Sequence, residues 1–196
     1  ARSLHGHAAV LGYYFTSDRE GRMSGVLPAP VFDKTALQGR SIHSTVWNGY
    51  GSNLKELARA APLAGYFNSI SDGDGVIRSL PLVAEHSGRY YESLSLAMFR
   101  LLAGLPGVSP GFATDKVLGK SVQGIDRIVL KQGNNAMGVA VDERLASLIP
   151  FRGPGGPQGG SFEYVSASDI LLGHLPPDKL KGKIAVVGTT APGLMD

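Results

Sequence analysis

Residues 65–82 read GYFNSISDGDGVIRSLPL, and the fold of the chain turns on how this stretch is read. Gly65, Tyr66, Phe67 and Asn68 predict a strand entering a turn. Ser71-Asp72-Gly73-Asp74-Gly75 is a dense turn signal, because aspartate bonds its own backbone and glycine accepts positive φ. Residues 76–83 predict a second strand, with Pro81 where the backbone need not donate. The expected product is a hairpin-like corner carrying two carboxylates, Asp72 and Asp74, with Arg78 close behind. Such a cluster either binds a ligand or holds the corner together. Arg78 folded back on a carboxylate is the simpler state.

Working outward, residues 53–61 (NLKELARAA) predict a short amphipathic helix capped by Ser52 or Asn53 and stopped by Pro62. Residues 8–15 (AAVLGYYF) are almost wholly apolar and suit a central buried strand. On the other side, ESLSLAMFRLLAG is the clearest helix, with Leu94, Ala97, Met98, Leu101 and Leu102 at helical spacing. Ser93 can cap it and Gly104 can end it. Residues 106–124 read as connection. Strands are expected at 125–131, 136–141 and 145–151, followed by a mobile loop at 153–160 (GPGGPQGG). Residues 162–165 predict a short strand, Ser166 with Asp169 a capped helix ending at Gly173, and residues 183–187 (KIAVV) a buried strand running into GTTAPG. Strands and helices alternate loosely. The expected class is α/β or α+β, a mixed β-sheet with flanking helices, in one domain spanning residues 1–196.

Composition bounds the function. Of 196 residues 43% are hydrophobic and 18% charged, the balance of a globular protein. The net charge is +3 with Lys and Arg scattered, so no basic patch for nucleic acid is expected. Cysteine is absent, which removes disulfides and thiolate metal sites. No apolar run approaches the ~18 residues of a membrane helix, and no signal peptide is present. The start at Ala1 and the end at Asp196, directly after a Gly-rich turn, suggest a piece of a longer protein.

Several patterns approach catalytic motifs and fail for physical reasons. Gly107-Val108-Ser109-Pro110-Gly111 has nucleophile-elbow spacing, but the residue after the serine must donate an N–H to the oxyanion, and Pro110 has none. Gly119-Lys120-Ser121 resembles the end of a phosphate loop whose leading glycine is replaced by Thr114. Asp72 and Asp74 suggest calcium, yet an EF-hand counted from Asp72 places Ile77 where glycine is required and Val83 where a carboxylate is required. The turn at residues 188–193, with Thr189 and Thr190, follows an expected strand, a common ligand position in α/β sheets and also an ordinary way to leave a strand. His5, His7, His43, His86 and His174 form no metal-binding spacing. Trp47, Tyr50, Tyr66 and Phe67 are expected in the core, with a ligand pocket as the other use of such aromatics. No metal, cofactor or catalytic residue is assigned. Asp72, Asp74, Arg78, Thr189 and Thr190 stand as candidate ligand-binding positions.

Residues 65–82 resemble the signature of the type-two CHASE domain, an extracytoplasmic sensory module. The resemblance continues through residues 92–97 (ESLSLA), 162–173 (FEYVSASDILLG) and 180–191 (LKGKIAVVGTTA), four blocks in the family's order, while residues 1–60 match loosely and the family's beginning is expected to be missing. It implies a non-catalytic sensor domain outside the cytoplasm, tethered by flanking membrane segments. Parents of this type are nucleotide cyclases, histidine kinases of two-component systems or serine/threonine kinases. It also implies a homodimeric parent responding to a small molecule or to envelope state, and it carries over no ligand motif. The alternative from the residues themselves is a soluble α/β enzyme or phosphate-ligand binder using residues 188–193 with Asp72 or Asp74.

Overall fold

A computed structural model describes the chain apart from residues 114–115, 118–119, 122–123, 155–159 and 190–196, and gives the backbone alone for 116–117 and 120–121. The chain divides into two compact units, Ala1–Ile149 and Pro150–Asp196. Strands outnumber helices, and the sheets are mixed in strand direction, as the α/β or α+β expectation requires.

The first unit is built around a hairpin that is buried on both faces. Val83–His86 pairs antiparallel with Arg89–Glu92, with Ala84 opposite Tyr91 and Glu85 opposite Tyr90. The two loop residues, Ser87 (φ 52°) and Gly88 (φ 76°), both have positive φ, the type I′ turn whose twist matches the strands it joins. Because strand side chains alternate, Val83 and Tyr90 enter one core with Leu82, Leu96, Ile128 and Leu145. Ala84 and Tyr91 enter a second with Tyr13, Phe15, Ala64 and Tyr66. Phe32–Asp33 and Val46–Trp47 complete this four-stranded sheet.

The apolar run near the start forms the strand Val10–Thr16, as its composition predicts. It is central in a second sheet, antiparallel to Gly49–Gly51 and parallel to Leu63–Tyr66. Phe15 is the hub of the aromatic core: its ring lies 5.3 Å from Tyr13, 5.5 Å from Tyr66 and 5.9 Å from both Tyr91 and His86. The parallel ladder is extended past Tyr66 by a side chain. Asn68 Oδ1 accepts from the Phe15 N–H at 2.7 Å, and its Nδ2 donates to the Phe15 carbonyl at 3.0 Å.

Helix Leu94–Leu102 begins where the sequence places it, with the Ser93 hydroxyl accepting from the Leu96 N–H. Leu96 and Ala97 are buried, whereas Phe99 and Leu102 are exposed. A three-stranded antiparallel sheet follows, in the order Gly107–Phe112, Ile125–Gln132, Asn135–Ala140.

Several expectations are corrected. The corner is not a hairpin: Leu63–Tyr66 pairs with Val10–Thr16, and Ser79–Pro81 pairs with Ala146–Leu148, so the turn crosses between sheets. The strand expected at 76–83 splits at Leu82, whose N–H donates to the Leu145 carbonyl. Gly107–Phe112 is a strand where connection is expected. It lies at a sheet edge, where outward backbone groups have no partner and Pro110 is tolerated. The helix at 53–61 shrinks to Lys55–Ala58 without a side-chain cap. Its expected caps are taken by tertiary bonds, Ser52 Oγ to the Val26 carbonyl and Asn53 Nδ2 to the Gly12 carbonyl.

In the second unit, helix Ala167–Leu171 forms as expected and ends at Gly173 (φ 72°). Ser166 does not cap it, because its hydroxyl bonds the Ser168 hydroxyl. Residues 162–165 form no strand, and neither do residues 183–187. Ile184, Val186 and Val187 are 61%, 73% and 92% exposed. A strand needs a neighbour to satisfy its backbone, and none of the described residues pairs with this segment. The loop expected at 153–160 lies largely outside the described residues.

Candidate functional site

The corner of residues 72–78 is held by its own side chains. The Asp72 N–H donates to the Val76 carbonyl and the Gly75 N–H to the Asp72 carbonyl, each at 2.9 Å. The Val76 N–H donates to Asp74 Oδ1 at 3.1 Å. Arg78 then engages both carboxylates: Nη1 donates to Asp72 Oδ2 at 2.8 Å and to Asp74 Oδ1 at 2.9 Å, and Nη2 to Asp74 Oδ2 at 2.7 Å. This is a forked, charge-assisted contact, and it consumes the groups a ligand would use. The Arg78 guanidinium, followed by the Val76 N–H, holds the Asp74 carboxyl below the usual carboxylate range. Asp74 therefore stays ionised at neutral pH and has no proton to exchange. Its contribution to stability is present above the ordinary aspartate value and is lost as pH falls through the lowered one.

Asp74→Ala is expected to cause a small fall in melting temperature that added salt diminishes, since all three side chains are about half exposed. Thermal melts at low and high ionic strength, with ligand titration alongside, test this. Unchanged melting together with lost ligand binding would make the corner a binding site.

Thr189 and Gly188 are exposed, and the strand expected to present them is not formed. Thr190 lies outside the described residues. The structure therefore brings Asp72, Asp74 and Arg78 together, and the strand from which the enzyme alternative drew its turn is not formed. Among the described residues no cluster of three metal-ligating side chains exists. Ser109 lies inside an edge strand and not at a strand-to-helix turn, so the elbow fails on geometry as well.

Two features escape sequence reading. The first is a buried ion pair. Glu92, at the end of the central hairpin, accepts from Arg100 Nη1 on the following helix, and Arg100 Nε donates to the Pro106 carbonyl at 2.9 Å. The side chains are 6% and 13% exposed, and Glu92 Oε2 has no hydrogen-bond partner among the described residues. Burial pushes the Glu92 carboxyl up, and the Arg100 guanidinium only partly pulls it back. Buried Glu85, by contrast, is met by Lys34, Tyr90 and Ser44.

The second is a cleft of about 400 Å³ beside the tip of the hairpin. It is lined by the rings of Tyr50, His86 and Tyr91 and by Leu27, Pro28 and Pro30. His86 Nδ1 lies 3.0 Å from the Trp47 carbonyl, and since a carbonyl only accepts, that nitrogen carries a proton and the bond sets the ring's orientation. Of the aromatics singled out from sequence, Tyr50 lines this cleft. Trp47 stacks on Phe15, Tyr66 is core with its hydroxyl donating to the Pro81 carbonyl at 2.6 Å, and Phe67 is exposed. Tyr50 was thus the sequence signal for the cleft, and nothing local in the sequence joined it to His86, Arg89 and Tyr91.

Most positions of the 65–82 signature thus have structural duties, in the ladder, the core or the corner. No curated protein and no solved structure gives a significant match to the chain. The family described as the CHASE2 domain matches residues 5–196, so the first sixty residues are covered along with the four blocks. With that match over nearly its whole length, the chain belongs to the CHASE2 family of extracellular, non-catalytic sensory domains.

Proposed function

We propose that this chain is the input domain of a transmembrane signalling protein whose output is a nucleotide cyclase or a kinase. The observation that carries the reading is the family match across residues 5–196. The domain would lie on the outer side of the membrane, anchored by helices outside residues 1–196. No helix of the described residues is long and apolar enough to cross a membrane. The parent would work as a homodimer, with the stimulus acting on the packing between copies. A stimulus can shift such packing only through different affinity for its two arrangements. Within the domain, the central hairpin connects a cleft at its tip to helix Leu94–Leu102 at its base. Nucleic acid has no place in this reading, because the charge is modest and dispersed.

The domain contains no cysteine, which makes its location directly measurable. In the intact parent, Gly73→Cys places a thiol on the exposed turn, where a Cβ meets nothing within 4 Å. A membrane-impermeant maleimide is expected to label this variant in whole cells, above the background of the unsubstituted parent. Labelling only after lysis, or a parental reading frame without hydrophobic segments, would sink the proposal.

A further inference from the structure

We infer that the cleft beside the hairpin tip binds a small organic carboxylate with a flat ring, a ligand class that deepens the sensory reading above and rests on it. The volume of about 400 Å³ falls within the ordinary range of small-molecule pockets. The walls suit a flat, apolar body. Tyr50 and His86 meet edge to face, with ring centroids 5.4 Å apart at 90°, and Tyr91 lies 6.5 Å from His86 at 59°. These rings are held in place before any ligand arrives: His86 is 6% exposed and bonded to the Trp47 carbonyl, and Tyr91 is 4% exposed. Pro28 and Pro30 line the same cleft with rigid rings and little conformational entropy to lose.

The charge at the cleft selects the polar end of the ligand. Arg89 lies directly across the hairpin from His86, so both side chains emerge on the same face, with Tyr91. The groups that bear on Arg89 are the Tyr91 hydroxyl and, through its field, the Asp33 carboxylate. Asp33 is already committed to the Thr35 N–H and hydroxyl. No carboxylate forms an ion pair with Arg89 among the described residues, so the N–H groups of its planar fork that the Tyr91 hydroxyl does not engage remain for a planar anion. Beyond this fork the lining adds the hydroxyls of Ser87, Tyr50 and Tyr91, and Arg89 is the one Lys or Arg among the lining residues. A single cation matches a singly charged carboxylate better than a phosphate, which carries more charge.

The test uses three probes of one shape on the intact protein: phenylacetate, 2-phenylethanol and 2-phenylethylamine, with indole-3-acetate as a larger carboxylate. The expected result is thermal stabilisation that grows with carboxylate concentration, with affinity about tenfold or more above the alcohol and amine. Arg89→Gln should erase that preference while melting like the parent, because Arg89 is exposed. Should Arg89→Gln itself melt lower, Pro30→Asp places a like charge beside the cleft from an exposed position and should weaken the carboxylates more than the alcohol. Equal response to all three probes, no response to either carboxylate at millimolar concentration, or unchanged affinity in both variants would overturn the inference. The whole-cell labelling result is independent of these outcomes, so a failed ligand class and a misplaced domain are told apart.

Discussion

Gly65→Ala is expected to lower stability by about 3 kcal/mol or more, the upper end of the cost of overpacking. The reason is a backbone approach. A Cβ at Gly65 would lie 2.6 Å from the Leu94 nitrogen, the Leu94 Cα and the Ser93 carbonyl oxygen. No rotamer change relieves such a clash, because main chain has no rotamers. The neighbouring main chain is also fixed: Ser93 is fully buried, its hydroxyl caps the helix and its N–H donates to the Leu82 carbonyl. To admit a methyl group the start of helix Leu94–Leu102 must lift from strand Leu63–Tyr66, breaking the bridge between Tyr66 and Ser93. In a chain of this size each kcal/mol moves the melting midpoint by roughly 2–4 °C, so a fall near 10 °C is expected. Gly73→Ala is the control, since a Cβ there meets nothing within 4 Å. Thermal melts by circular dichroism compare the two. Equal melting of both variants would refute the close approach.

Arg100→Met should cost about 3–5 kcal/mol, the range for stranding one member of a buried ion pair. Glu92 would then sit 6% exposed with neither oxygen compensated. The pH dependence identifies the cause. The folded value of Glu92 already lies above its unfolded one, so its contribution is best below the ordinary glutamate value and drains away as pH rises through the raised folded value. Removing Arg100 raises that folded value further, because the guanidinium is what lowers it. The loss in Arg100→Met should therefore be large at neutral pH and should shrink in mild acid, where Glu92 takes up a proton. Combining Arg100→Met with Glu92→Gln should recover much of the stability, because no unpaired charge remains buried. Urea titrations across the acidic range measure all three chains. A loss of the same size at every pH would mean that Arg100 acts through packing, through its stem and its bond to the Pro106 carbonyl.

These effects lie at the joint between strand, hairpin and helix, and they bear on signalling. The hairpin that forms one wall of the cleft ends at Glu92, and the next residue caps the helix. A ligand at the tip, as proposed above, and the ion pair at the base would therefore act on one hairpin. The corner at 72–78, with both carboxylates occupied by Arg78, is off that line and serves to return the chain from one sheet to another.

How much of this was legible varies with the kind of interaction. Local signals were read well. The apolar run of Val10–Thr16 made a central strand with Tyr13 and Phe15 buried and Tyr14 exposed, Ser93 capped its helix, and the Asp-Gly cluster made a turn with Arg78 on its carboxylates. Each depends on residues within a few positions of one another, so side-chain chemistry and spacing suffice. The family resemblance was legible in a contiguous stretch, residues 65–82, within which Asn68 closes a ladder onto Phe15. The partners themselves were not legible. A strand pattern does not name its neighbour, so the corner read as a hairpin while its two flanks joined Val10–Thr16 and Ala146–Leu148. Likewise residues 183–187 had the composition of a buried strand and stand exposed, because hydrophobicity states what a segment can bury and only a neighbour satisfies its backbone. Ser52 and Asn53 were plausible caps until Val26 and Gly12, distant in sequence, claimed them. Glu92 with Arg100, and Arg89 with His86 beside Tyr50, are charges and rings whose meaning arises only when the hairpin sets them side by side. The sequence alone determined the domain's family and its local turns and caps, through short-range chemistry. Tertiary structure decided which strands pair, which charges are buried and which side chains line one cleft, because those depend on long-range contacts that no local pattern encodes.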